Sequence, residues 1–208
     1  MKRNFNYNQS PQNFDTPTMK RLPLLVLLPL MMQSAWAQEF VSMALLPKAL
    51  LSHIDAGTKV RDFKTVDLNG DSLDDYLLVI EREDGTRTLK IITKQANGQL
   101  LLAKSNDAVV YCRDCGGALG DPFDSISTKS KSFTVRHFGG SGYRWSVATT
   151  FNYSRRDQTW QLVRVEESEF HVQHPDQMER QIYTPPKHFG KIDFADFDPN
   201  DFKGRGEK

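Results

Sequence analysis

Most of the chain after residue 57 alternates hydrophobic and polar positions in the manner of β-strands. Residues 76–80 form an unbroken apolar run, which is typical of a strand covered on both faces. The clearest alternation extends over residues 143–153, where aromatic or β-branched side chains take every second position and predict one buried and one wetter face. Asp84-Gly85 and Asn97-Gly98 stand between such runs and predict tight hairpins. The pattern predicts a mainly β fold of antiparallel meanders, arranged as a propeller-like blade or as a sandwich.

Two further stretches complete the predicted elements. Apolar positions between residues 40 and 54 have roughly helical spacing, and Pro47 suits a first helical turn, so a short N-terminal helix is expected there. Later in the chain, Phe170 and Val172 indicate one more short strand. The prolines that bracket residues 175–186 predict an irregular segment between them.

The first 37 residues have the pattern of an export signal. Lys20 and Arg21 precede an eleven-residue apolar run, and Ala35-Trp36-Ala37 provides a signal-peptidase site. The apolar run is too short to cross a bilayer, which takes about 20 residues. We therefore expect an upstream extension at 1–18, a secretory signal at 19–37, and a single β-rich domain at 38–208 that is periplasmic or secreted.

The charge of the exported part argues against binding to nucleic acid. Removing residues 1–37 takes away four of the 27 Lys and Arg residues and one of the 26 Asp and Glu residues. This leaves 23 basic and 25 acidic residues, a net charge near −2. A nucleic-acid surface needs a basic patch, and no membrane span is expected after the signal is cleaved.

A short acidic loop provides the most informative motif. Residues 67–75 (Asp-Leu-Asn-Gly-Asp-Ser-Leu-Asp-Asp) place oxygen-bearing groups at alternate positions, and calcium prefers several such hard oxygen ligands. With the apolar strand that follows, residues 62–81 resemble the calcium loops of FG-GAP/VCBS repeat proteins, the blade units of integrin-type β-propellers. The chain has one copy, whereas a complete propeller has several blades.

This resemblance implies one structural calcium ion, with an ordinary acidic turn as the alternative. The implied ligands are the side chains of Asp67, Asn69, Asp71 and Asp75 and the backbone carbonyl of Leu73.

Cys112 and Cys115 form a C-x-x-C pair, the two cysteines of the chain. A thioredoxin-like motif needs the second cysteine on a helix, and the Gly116-Gly117 pair that follows it disfavours one. A zinc site needs two further ligands, for which only scattered histidines are present. Export favours a small local disulfide, which is therefore the prediction.

Glycine-rich segments surround the remaining candidate residues. Neither residues 116–123 nor residues 138–143 have the spacing of a phosphate-binding loop, so both predict turns. Asp121, His137 and Ser141 are candidates for a hydrolase site, although no nucleophile–base pair is recognisable.

Two weaker metal patterns remain open. His171 and His174 are three residues apart, so on a continuous strand they would point to opposite faces, which favours hydrated side chains. Between residues 193 and 202, aspartates alternate with phenylalanines. This predicts rings packed on the domain and hydrated carboxylates, with a second calcium site as the alternative.

The favoured function is that of a non-enzymatic, calcium-stabilised β domain of the bacterial cell envelope. It would act as a binding or assembly module for an envelope protein or glycan. The alternatives are an envelope hydrolase using Asp121, His137 and Ser141, and a thiol–disulfide protein using Cys112 and Cys115.

Overall fold

The computed structural model describes residues 40–206, so the predicted upstream extension and export signal lie outside the described part of the chain. Within it, nine strands form two antiparallel sheets in which sequence order and spatial order agree. The mainly β class and the antiparallel meanders are confirmed, and the arrangement is consistent with a sandwich. The N-terminal sheet contains β1 (Lys59–Val66), β2 (Asp75–Glu81), β3 (Arg87–Lys94) and β4 (Leu100–Asn106). The C-terminal sheet contains β5 (Phe123–Lys129), β6 (Ser132–Gly140), β7 (Tyr143–Ser154), β8 (Thr159–His171) and β9 (His174–Tyr183).

The main core lies between the two sheets. Leu77 and Val79 of β2 join Phe133 and Val135 of β6 in one buried cluster. The intervening side chains of β2 point to the other face of the N-terminal sheet, where the segment before β1 covers them. The unbroken apolar run at residues 76–80 is therefore buried on both faces, as predicted.

The segment that covers the N-terminal sheet consists of short 3₁₀ helices. They span Met43–Leu45 and Lys48–His53, so the predicted N-terminal helix is present in the tighter 3₁₀ form. Leu50 is its fully buried anchor. A hydrogen bond from the Leu50 amide to the Pro47 carbonyl (2.8 Å) opens the longer of the two turns.

The C-terminal segment closes the main core with aromatic rings. Phe194, Phe197 and Phe202 are buried, and the first of them begins a 3₁₀ helix at Phe194–Asp196. The side-chain amide of Asn106 donates to the carbonyl oxygens of Phe194 (2.7 Å) and Phe197 (2.8 Å). The predicted packing of this segment on the domain is confirmed.

A buried charge cluster joins the N-terminal sheet to the loop before β5. Arg87 has no exposed side-chain surface. It donates to Glu81 (2.6 Å), to Asp121 (2.6 Å) and to the carbonyl of Tyr111 (3.1 Å). Because each carboxylate has a fixed donor, the cluster satisfies charges that would otherwise be costly to bury.

The prediction of an irregular segment over residues 175–186 is wrong for most of its length. Residues 174–183 form β9, the edge strand of the C-terminal sheet, and Phe170 belongs to β8 rather than to a separate strand. Pro175 is tolerated because an edge strand has one side without ladder hydrogen bonds. Nearly all of β9 is exposed on both faces, so its sequence carries no apolar alternation.

Candidate functional site

The inner face of the C-terminal sheet extends beyond the part that packs in the core. In β7, Thr149 is buried, whereas Trp145 on the same face is only partly buried. In β8 the inner face also becomes less buried along the strand: Val165 is buried, and the next inner-face residues are Glu167 and Glu169. Strands β7 to β9 are longer than their cover, so one end of the inner face remains open.

This uncovered end forms a depression of about 420 Å³, which we call the open groove. Aromatic rings and carboxylates from four parts of the chain line it. The residues used below are Tyr111, Trp145, Glu167, Glu169, Glu179, Gln181, Tyr183 and Lys203.

The indole of Trp145 lies close to the backbone of β6 at Gly139. Trp145 pairs with Gly139 across the ladder, and a Cβ atom on Gly139 would lie only 2.4 Å from Cζ2 of the indole. The absence of a side chain at Gly139 therefore gives the ring its position at the floor of the groove.

Tyr111 forms the inner wall of the open groove, and the buried His137 lies behind it. Their rings stack with centroids 4.1 Å apart, and Tyr111 reaches within 5.9 Å of Trp145. Burial raises the pKa of Tyr111 to about 12, and the nearby carboxylates of Glu167 and Asp198 act in the same direction. The phenol therefore stays neutral.

His137 is also neutral near pH 7, because burial and then the charge of Arg87 lower its pKa to about 4. Its Nε2 accepts a hydrogen bond from the Tyr111 amide (3.2 Å), which places the ring proton on Nδ1.

Three carboxylates face the open groove from neighbouring strands. Glu169 of β8 pairs directly with Glu179 of β9, and Glu167 pairs with Gln181, so these side chains share one face. Lys203 forms an ion pair with Glu167 (3.2 Å), and its Nζ lies 4.3 Å from the centre of the Tyr183 ring. Within residues 40–206, neither Glu169 nor Glu179 has an ion-pair partner.

The residues of the predicted calcium loop lie together between β1 and β2. The Asp67 carboxylate accepts hydrogen bonds from the amides of Gly70 (2.6 Å) and Ser72 (3.2 Å). Asp71 accepts one from the amide of Leu73 (2.8 Å), and Asn69 accepts one from the amide of Asp71 (2.9 Å). The loop is thus wound around its own oxygen-bearing side chains.

Asp75 differs from the other loop carboxylates because it is fully buried. It accepts hydrogen bonds from the amides of Leu68 and Lys94, both at 2.9 Å. Burial raises the pKa of Asp75 and outweighs these two hydrogen bonds, which lower it. The charges of Asp71 and Asp67 raise the pKa further. Those charges are therefore close enough to be felt at Asp75.

The chemistry of the loop fits a hard cation, although the described side chains do not enclose one. Within residues 40–206, no three His, Cys, Asp or Glu side chains are arranged to hold a metal ion. The predicted ligand set also uses the amide of Asn69 and the carbonyl of Leu73, which are neutral oxygen donors. Asp67, Asp71 and Asp75 have no ion pair with a Lys or Arg among the described residues. The side chain of Lys131 lies against Gly70 of the same loop, so its ammonium group is the nearby positive charge.

Cys112 and Cys115 lie at disulfide distance, as predicted, with 2.03 Å between the sulfur atoms. They follow Tyr111 at the end of the segment that leaves β4. The second cysteine is exposed, and the short 3₁₀ helix that follows spans only Gly117–Leu119. A thioredoxin-like arrangement, in which the first cysteine begins a long helix, is absent here.

Asp121, His137 and Ser141 do not form one constellation. Asp121 is held by Arg87, and His137 uses Nε2 for the backbone of Tyr111. Ser141 lies in the turn after β6, four residues beyond His137, which is about 13 Å along an extended strand. The hydrolase alternative stays a prediction without a geometric basis.

His171 and His174 lie closer than the sequence suggested. They pair across the tight turn between β8 and β9, and their ring centroids are 6.0 Å apart. The expectation of opposite faces assumed a continuous strand, whereas the chain reverses between the two residues.

Sequence reasoning missed the open groove because its lining comes from separate strands. One signal was present in β8, where the inner-face positions change from Val165 to Glu167 and Glu169. That change from apolar to acidic residues marks the end of the packed region.

Comparison of the chain with models of known protein families, with curated proteins and with solved structures gave no match. Over residues 40–206, the structure contains no helix with the length and apolar character needed to cross a membrane.

Proposed function

We propose that this chain is an exported, calcium-stabilised β domain that acts as a binding module of the bacterial cell envelope. The observation that carries the proposal is the open end of the inner face of the C-terminal sheet. An inner sheet face is normally covered, and aromatic side chains such as Trp145 are costly to leave in water unless a ligand covers them. A groove on a rigid sheet is a common form of binding site.

Export is supported by the pattern of residues 19–37 and by the paired cysteines. A disulfide persists in oxidising compartments, and Cys112 and Cys115 are positioned to form one. The periplasm or the exterior is therefore the proposed location, and an envelope protein or glycan is the proposed class of partner.

Calcium is proposed as a structural cofactor of the loop between β1 and β2. The side chains of Asp67, Asn69, Asp71 and Asp75 and the carbonyl of Leu73 would hold it. The ion would neutralise carboxylates that now repel one another. The loop also contacts the C-terminal sheet, since its Leu68 carbonyl accepts a hydrogen bond from the Trp160 indole (2.9 Å).

Photocrosslinking in intact cells tests the binding role. A photoreactive amino acid would replace Gln181, which is exposed and lines the open groove. The matched control carries the same amino acid at Ser130, an exposed position in the turn between β5 and β6. We expect a discrete crosslinked product at position 181 and none at position 130. Exported protein that gives no product at position 181, or equal products at both, would contradict the proposal.

A further inference from the structure

We infer that the open groove recognises an organic cation, a primary ammonium or guanidinium group, between Glu169, Glu179 and the indole of Trp145. This inference rests on the proposed binding function and names the chemistry of its ligand. The cation belongs to a Lys- or Arg-bearing segment of a protein partner, and binding of a free polyamine is the competing outcome in the test below.

One half of the groove already holds an ammonium group from the protein itself. Lys203 places Nζ 4.3 Å from the centre of the Tyr183 ring and 3.2 Å from a carboxylate oxygen of Glu167. A ring face and a carboxylate together stabilise a cation through the ring quadrupole and the opposite charge. Lys203 therefore shows which kind of group this surface accommodates.

The other half repeats the same chemistry without a protein cation. Glu169 and Glu179 are directly opposed across β8 and β9, and Trp145 is the cross-strand partner of Glu169 on the other side. Opposed carboxylates repel each other, and no described Lys, Arg or His forms an ion pair with either. A ligand cation would remove that repulsion and cover the half-buried indole.

The contrast with the outer face of the same strands shows that this arrangement is local. Glu166, which points to the outer face, is paired with both Arg164 and Arg180. The negative charge of Glu166 is thus compensated by two arginines, whereas Glu169 and Glu179 in the groove have no ion-pair partner among the described residues. Among residues 40–206, no three His, Cys, Asp or Glu side chains are arranged to hold a metal ion, here or elsewhere.

Calorimetric titration of the mature protein tests the inference. The probes are a tetralysine peptide, the same peptide with every Nε acetylated, and spermidine. We expect tetralysine to bind and the acetylated peptide not to bind, because acetylation removes the charge. Tetralysine should bind more tightly than spermidine, and the reverse order would contradict the assignment to a peptide segment.

A double variant, Glu169→Gln with Glu179→Gln, localises the site. Both side chains are exposed, so the melting temperature should not fall. The affinity for tetralysine should fall by about tenfold or more, which corresponds to about 1.4 kcal/mol. Glu166→Gln is the matched control and should leave the affinity unchanged. Equal losses in both variants, equal binding of the acetylated peptide, or no binding of any cationic probe would overturn the inference.

The outcomes separate this inference from the proposed function. A crosslinked partner at position 181 without binding of cationic probes would leave the binding module standing and remove the cation. Site-specific binding of tetralysine without any crosslinked product in cells would support the cation site and contradict the proposed binding module.

Discussion

Arg87 carries a full positive charge in a position without contact with water. Its guanidinium group holds Glu81 of β2 and Asp121 of the loop before β5, so one side chain ties together distant parts of the chain. The sequence alone does not reveal this, because the two acidic partners lie six and 34 positions away.

Replacing Arg87 with alanine should destabilise the protein by about 3 kcal/mol, the lower end of the cost of breaking a buried ion pair. Both buried carboxylates lose their main donor, but Arg113 still reaches Glu81 (2.9 Å) and Arg61 still lies near Asp121 (3.5 Å). Urea denaturation measures the change. Arg82→Ala is the control, since Arg82 is partly exposed and its ion pair with Asp107 is long (3.5 Å). That variant should cost at most about 1 kcal/mol. Equal costs in both variants would show that the buried cluster contributes no special stability.

Asp121 should make the protein sensitive to acid. Burial raises the pKa of Asp121, but the hydrogen bonds and charge of Arg87 more than offset this and hold it below its usual value. A pKa that is lower in the folded state gives a stabilisation that is complete above the unfolded value of about 3.9. This stabilisation is lost as the pH falls through the folded value. Denaturation of Asp121→Asn should therefore show a smaller loss of stability between pH 5 and pH 2, and an unchanged loss would contradict the assignment.

The disulfide between Cys112 and Cys115 should contribute little to stability. Its loop is so short that the loss of unfolded-state entropy is at most about 2 kcal/mol. The double Cys→Ser variant should therefore remain folded, and a thermal melt measures the difference. The redox state of protein trapped without reductant provides the complementary test. Free thiols, or a strongly oxidising reduction potential, would favour the thiol–disulfide alternative.

At the scale of elements, the loop between β1 and β2 determines where β2 enters the sheet. Asp75 is the first residue of β2 and pairs with Val66 of β1. Its carboxylate also reaches the amide of Lys94 at the end of β3. Fixing this loop therefore fixes the ends of three adjacent strands.

Calcium should raise the melting temperature, and a chelator should lower it. Binding to the folded state alone stabilises it by about 2.7 kcal/mol when free calcium is one hundred times the dissociation constant. Asp71→Ala should abolish this dependence on calcium. The variant also loses the hydrogen bond from the Leu73 amide, which lowers its melting temperature equally with and without calcium. Asp124→Ala, in β5 and outside the loop, should retain it. Melting that ignores both calcium and chelator would show that the loop is an acidic turn.

The sequence predicts the elements whose two faces differ, or whose burial is complete. The run at residues 76–80 is apolar because both sheet faces are covered, and the hairpins at Gly85 and Gly98 use residues that adopt positive φ. The sequence did not predict β9, because both faces of this strand are exposed to solvent and its residues therefore show no apolar–polar alternation. The buried face of β7 was predicted from its alternation. That Trp145 on this face stays uncovered depends on how far other segments extend over it, which the sequence of β7 does not show.

For the molecule as a whole, the proposed export determines which residues make up the mature protein. Protein isolated from the envelope should begin at Gln38 or within a residue or two, because residues 35–37 carry the small side chains that signal peptidase requires. N-terminal sequencing measures this. A cytoplasmic chain that retains residues 19–37 would contradict the proposed location and the reason for expecting a disulfide.

The agreement between sequence order and spatial order in both sheets has a consequence for biogenesis. Each strand of the N-terminal sheet pairs with its neighbour in the chain, so the ladder from β1 to β4 can close as the chain emerges from the membrane, before β5 has emerged. Such local pairing is fast, because each step closes only a short loop. The nascent half would then expose Leu77, Val79, Leu89 and Ile91 until the second half arrives to cover them. The interval between the two halves is therefore the period of greatest aggregation risk, and the stage at which a chaperone would be needed.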